Sequence, residues 1–134
     1  MTLREQLLRD EGCRLKLYLD SRGVPTIGVG RNLRDKGISL AEAELMLEND
    51  ISEFSASVLA ALPWVLGLDE ARRAALVNMA FNLGIAGLLA FRKMLAAAER
   101  EDYHAAATEL LNSRYAEQVG ARAQRLAEQM RTGQ

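Results

Sequence analysis

The sequence predicts an α+β fold, mainly helical, in two lobes with a small β-hairpin in the N-terminal one. Three observations carry this. Residues 14–20 alternate apolar and polar side chains. Residues 39–60 follow one uninterrupted helical period. After Pro63 the pattern is helical throughout, interrupted only by short polar or glycine-marked breaks. A small α+β lobe (1–38), a connecting helix (39–60) and a helical lobe (61–134) follow as one domain of 134 residues.

The first element is a short helix. Thr2 and Glu5 have the spacing of a capping box, and Leu3, Leu7 and Leu8 lie together on one side. Gly12 is the expected left-handed stop, which leaves Glu11 in the last turn. Leu15, Leu17 and Leu19 then alternate with Lys16, Tyr18 and Asp20, the mark of a half-buried strand. Ser21-Arg22-Gly23 reads as a turn and Val24–Gly30 as the returning strand, with Pro25 suited to its start. Simple counting about Gly23 sets Asp20 opposite Thr26. Arg31–Gly37 is expected to be polar loop.

Ser39 and Glu42 form a second capping box. The helix they open carries Ala43, Leu47, Ile51, Phe54 and Val58 on one stripe and would be roughly 30 Å long. Asp69 caps the segment that ends at Gly84, and further helices are expected over 86–100, 101–115 and 123–131. Trp64 reads as a packing anchor, His104 as an ordinary helical histidine and Cys13 as a small buried thiol.

The totals exclude several classes. A formal net charge of -1 argues against a general nucleic-acid binder. One cysteine rules out an internal disulfide. No apolar run is long enough to span a membrane, and the charged N-terminus has no apolar signal core. No secretion signal is therefore expected, and anything the chain does outside the cytosol needs another exit route.

Glu11 and Asp20 are the chemical candidates. Cutting a glycosidic bond needs one carboxylic acid to protonate the leaving oxygen and one carboxylate to activate a water or attack the sugar. A helix C-terminus beside leucines favours the protonated form, whereas a strand end at a turn favours the ionised one. Two acids with separated environments suit an acid–base pair. Acids at helix ends and turns are also common without any chemistry, so the pair alone does not decide.

The order "LLRDEGCRLKLYLDSRGVPTIGVG" closely resembles the catalytic opening of the phage-type lysozymes, endolysin muramidases of glycoside hydrolase family 24. The similarity continues through "RRAALVNMAFNLG", "SRY" and "RTG" and covers most of the chain. It implies a lysozyme-like two-lobed fold and hydrolysis of the β-1,4 bond between N-acetylmuramic acid and N-acetylglucosamine, with inversion. By the same resemblance Glu11 is the general acid, Asp20 positions the attacking water and Thr26 holds it. Arg122 would pair with the acid, Arg31 with Asp50, and Phe81, Asn82 and Tyr115 would line the saccharide site. No metal or organic cofactor is implied. The partner is bacterial peptidoglycan, with no nucleic acid or membrane insertion, and the chain is expected to be a monomer. Two alternatives remain at this point: a non-catalytic peptidoglycan binder and a hydrolase of a chitin-like polymer. The stretch from Gly30 to Ser39 is short for the family, and the position of Arg31 is often His in relatives.

Overall fold

The computed structural model describes residues 1–134. Seven α-helices and three strands follow in the order α1 (Leu3–Glu11), β1 (Arg14–Leu19), β2 (Pro25–Gly28), β3 (Arg31–Asn32), α2 (Leu40–Ala61), α3 (Glu70–Leu89), α4 (Arg92–Glu99), α5 (Tyr103–Leu111), α6 (Arg114–Val119) and α7 (Ala121–Thr132). A 3₁₀ turn over Pro63–Gly67 separates α2 from α3. The α+β class and the lysozyme-like order of elements are as the sequence predicts. Two compact units, Met1–Met46 and Leu47–Gln134, divide the chain within α2.

The first unit is built by polar backbone chemistry more than by a core. Thr2 and Glu5 close the capping box of α1 reciprocally. Gly12 ends the helix at φ 72, ψ 179, not in the expected left-handed helical region, because the chain must run straight into β1. That extended, positive-φ backbone is open essentially to glycine alone. The sheet has the order β1-β2-β3, both pairs antiparallel.

Five expectations need correction here. Tyr18, not Asp20, stands opposite Thr26, since Asp20 bonds back to Val24 and the ladder is irregular between Arg14 and Tyr18. The 31–37 segment is not all loop: Arg31 and Asn32 pair with Ile27 and Thr26 before an Asn32–Asp35 turn. The leucines of β1 alternate as read but face water, with Leu15, Leu17 and Leu19 exposed to 85%, 59% and 64%. Leu7 and Leu8 are exposed too, so they do not wall Glu11 off from solvent. Within residues 1–46 only Val24 and Thr26 are buried. Cys13 is likewise exposed rather than buried.

The second unit holds the hydrophobic core. Val58, Leu76, Met79, Leu88, Met94, Leu110 and Met130 are fully enclosed there. Each such burial contributes on the order of 2 kcal/mol. Small alanines at 75, 80, 98, 106 and 107 let the helices approach closely. Trp64 packs against this core, as its place after Pro63 suggests. The expected stop at Gly84 is present as a break inside α3, with φ 77 and ψ 164. Arg72 ties the two ends of the unit together. Its guanidinium meets the α3 cap Asp69 at 2.9 Å, donates to the Met130 and Arg131 carbonyls at 2.6 and 3.0 Å, and covers the Tyr103 ring at 3.5 Å. This satisfies carbonyls at the C-terminus of α7 that the helix itself leaves open.

Candidate active site

Glu11 is the last residue of α1 and its exposed side chain lies over Gly30. A β-carbon built on Gly30 would stand 2.8 Å from Glu11 Oε2 and 3.0 Å from its Cδ. Gly30 also has φ +66, the turn conformation that joins β2 to β3. The second glycine of "TIGVG" thus has two reasons to lack a side chain: its backbone and the carboxyl above it.

Asp20 follows β1 and anchors the first hairpin. Its Oδ1 accepts the N–H of Arg22 at 2.8 Å and of Val24 at 2.9 Å. Its own N–H donates to Val24 O, and Gly23 N–H to Asp20 O. The Val24 and Arg22 amides, with help from the Arg22 and Arg34 charges, hold the Asp20 carboxyl below its usual pKa. Both bonds fall on Oδ1, which leaves Oδ2 to act on something else.

Thr26 is the one buried polar side chain, at 4% exposure, and its hydroxyl donates to Val24 O at 2.8 Å. Its oxygen can therefore only accept from a further partner. Thr26 faces Tyr18 across the strand pair, and Asp20 is two residues on from Tyr18, so Asp20 and Thr26 share one face as diagonal neighbours. Such positions are about 7–8 Å apart at the backbone, enough to admit one bridging water. Val24, which no motif singles out, links the two through its N–H and C=O.

Arg31 donates to both carboxyl oxygens of Glu42, at 2.9 and 2.8 Å, and to Gly37 O. The resemblance gave Asp50 that place. Asp50 lies eight residues further along α2, about 12 Å by helical rise, whereas Glu42 is already oriented by its bond to Ser39 N–H. Glu42 is pulled down to about pKa 2, first by Arg31 and then by Ser39. The sign of its effect follows. A carboxylate depressed in the folded state adds stability that is fully present above its ordinary value near 4.5 and lost as pH falls through about 2. Carbon-detected NMR titration should accordingly show the Glu42 carboxyl still ionised at pH 3, and Arg31→Ala should return its midpoint towards 4.5.

In the second unit, Phe81, 5.4 Å from the Phe54 ring, lines a cavity of about 510 Å3 with Leu47, Ile51, Val77, Asn78 and Arg122. Arg122 donates from Nε and Nη2 to Asn78 Oδ1, at 3.2 and 2.8 Å. Asn82 is exposed near the α3 break.

Tyr115 does not line an open surface. It is 5% exposed and packs edge-on to Phe91 at 5.8 Å, because the first turn of α6 inserts into the core. Burial raises its hydroxyl pKa, with Arg122 opposing, and the hydroxyl has no hydrogen-bond partner. Tyr115→Phe should therefore leave activity unchanged and hold or raise Tm, by up to about 1 kcal/mol in stability, in a thermal melt.

Residues 9–131 match the phage lysozyme family. The chain belongs to the phage lysozyme family. It is 30% identical over 161 residues to the probable T4-type lysozyme 2 of Dictyostelium discoideum, covering 98% of this chain and 95% of that one. It is 34% identical over 119 residues to the endolysin of Salmonella phage P22, covering 79% and 76% respectively. It is also 30% identical over 161 residues to the pre-baseplate central spike protein Gp5 of Enterobacteria phage T4. That match takes in 99% of this chain but 28% of the spike protein, so the lysozyme spans little more than a quarter of that relative. An alignment of 161 residues exceeds the 134 present here, so these relatives carry residues the lysozyme lacks.

Proposed function

We propose that this lysozyme hydrolyses the β-1,4 bond between N-acetylmuramic acid and N-acetylglucosamine in bacterial peptidoglycan, with inversion at the anomeric carbon. The observation that carries the reading is the different setting of two carboxyls in one small unit. Glu11 lies free over Gly30, while Asp20 is kept ionised by main-chain donors.

In the reaction Glu11 gives its proton to the glycosidic oxygen as the C–O bond breaks. A water held between Asp20 and Thr26 would direct one hydrogen to Asp20 Oδ2 and the other to Thr26 Oγ1, whose own proton is already given to Val24 O. That arrangement leaves a water lone pair to attack the anomeric carbon from the opposite side. Asp20 takes the water's proton as the new C–O bond forms, and charge and atoms balance. In the second unit, Phe81 offers an apolar face to a pyranose ring, and Asn78 and Arg122 offer polar groups beside it.

Product analysis tests this reading. Defined muropeptide oligomers should yield fragments with N-acetylmuramic acid at the reducing end, released first as the α-anomer in proton NMR. Initial β-anomer would exclude a single water displacement. Faster cleavage of N-acetylglucosamine oligomers than of muropeptides would transfer the activity to a chitin-like polymer.

A further inference from the structure

We propose that Arg22 sets substrate preference: its guanidinium takes a free carboxylate on the stem peptide of the muramic acid whose anomeric carbon is attacked. The inference deepens the hydrolytic reading above and rests on it. Arg22 stands at the centre of the turn that closes between Asp20 and Val24. Its N–H donates to Asp20 Oδ1 at 2.8 Å, which fixes its backbone beside the carboxylate. Its side chain is exposed, and none of the ion pairs in this unit, Arg9–Asp10, Arg31–Glu42 and Arg34–Asp35, engages it. Arg34 comes close from the third strand. Thr26 pairs with Asn32 and Pro25 O accepts the Leu33 N–H, so Arg34 follows next to the turn. Both guanidinium charges act on the Asp20 carboxyl, behind the Val24 and Arg22 amides that lower its pKa most.

Residues 20–36 hold four basic and two acidic side chains, in a chain whose net charge is -1. Arg31 is taken by both carboxyl oxygens of Glu42. Arg34 shares Asp35 at 3.4 Å. Of the cations that act on Asp20, Arg22 alone is therefore unpaired. The chemistry of peptidoglycan supplies an anion for it. The stem peptide starts from a lactyl ether on O3 of muramic acid, two ring carbons from the C1 that the water attacks. With C1 facing Asp20, the stem begins close to the Asp20–Val24 turn. Its second residue is a γ-linked glutamate whose α-carboxyl is free in some envelopes and amidated in others. A free carboxylate matches the planar fork of a guanidinium with two parallel N–H···O bonds, whereas the amide offers one acceptor oxygen and no charge. A polymer of N-acetylglucosamine has no carboxylate to offer.

Cleavage kinetics on two muropeptide oligomers provide the test, identical except that the α-carboxyl of the stem glutamate is free in one and amidated in the other. The wild type should favour the free carboxylate by about fivefold in kcat/KM, mostly through KM, and the preference should shrink towards one in about 1 M salt. Arg22→Gln keeps the main-chain N–H that holds Asp20 and removes the charge. It should bring the free-carboxylate oligomer down to the rate of the amidated one. Arg22→Lys, which keeps the charge and loses the fork, should retain part of the preference, and Arg22→Glu should reverse it. Equal cleavage of both oligomers by the wild type, or faster cleavage of the amidated one, overturns the proposal and leaves the hydrolytic reading standing. Cleavage of neither overturns that reading itself. A preference that persists in Arg22→Gln also overturns the proposal. So does a fall of both rates by one factor, which would make Arg22 a prop for Asp20 and nothing more.

Discussion

Glu11→Gln should reduce lysis of permeabilised bacteria by at least about a hundredfold, and up to about ten-thousandfold, while Tm stays level or rises slightly. The loss follows from chemistry: an amide has no acidic proton to give to a glycosidic oxygen. The stability follows from position. Glu11 closes α1, where the last carbonyls already carry partial negative charge, so removing a carboxylate relieves a small repulsion worth a few tenths of a kcal/mol. Its side chain is exposed and leaves no cavity behind. A turbidity assay run beside differential scanning calorimetry reads both. Opposite movements of activity and stability would mark a group retained for its reaction. Near wild-type lysis would remove Glu11 from the mechanism.

Gly30→Ala should do comparable damage by displacement. The substitution places a methyl group 2.8 Å from Glu11 Oε2. The carboxyl is the far end of a flexible chain, so it will move, and a shift of about 1 Å in a reacting group can cost about a hundredfold in rate. Alanine at φ +66 adds about 1–2 kcal/mol of backbone strain. Gly28→Ala separates the two effects. Gly28 has nearly the same positive φ, +69, but nothing within 4 Å of an added methyl. Both variants should melt earlier by similar amounts, and only Gly30→Ala should lose most of its kcat. Equal activity losses in the two would show that strain in the turn, not the position of Glu11, limits the reaction.

Local features of the chain were legible because their causes lie within a few residues. The capping boxes Thr2–Glu5 and Ser39–Glu42, the Asp69 cap and the break at Gly84 each involve partners no more than one helical turn away. The motif around Glu11 and Asp20 pointed to the family that the chain belongs to. What was not legible depends on pairing at a distance. The hairpin register slipped because the turn closes between Asp20 and Val24, centred on Arg22 and not on Gly23, and counting about the glycine misses that by one residue. The leucines of β1 alternate whether their face is covered or open, so the pattern alone could not say which. Arg31 took Glu42 in place of Asp50 because Ser39 had already fixed the nearer carboxylate. The resemblance put Tyr115 at the saccharide site, whereas its burial and its edge-on contact with Phe91, far away in sequence, place it in the core. The role of Gly30 towards Glu11 had a trace in "TIGVG", but the neighbour is nineteen positions upstream.

The main-chain grip on Asp20 has a practical corollary for evolving new variants. Its ligands are the amides of Arg22 and Val24, whatever side chains those residues carry. Positions 21 and 22 can therefore be randomised to retune affinity for different bacterial envelopes, provided proline is barred from 22, while Gly23 at φ 76 and the buried Val24 stay fixed.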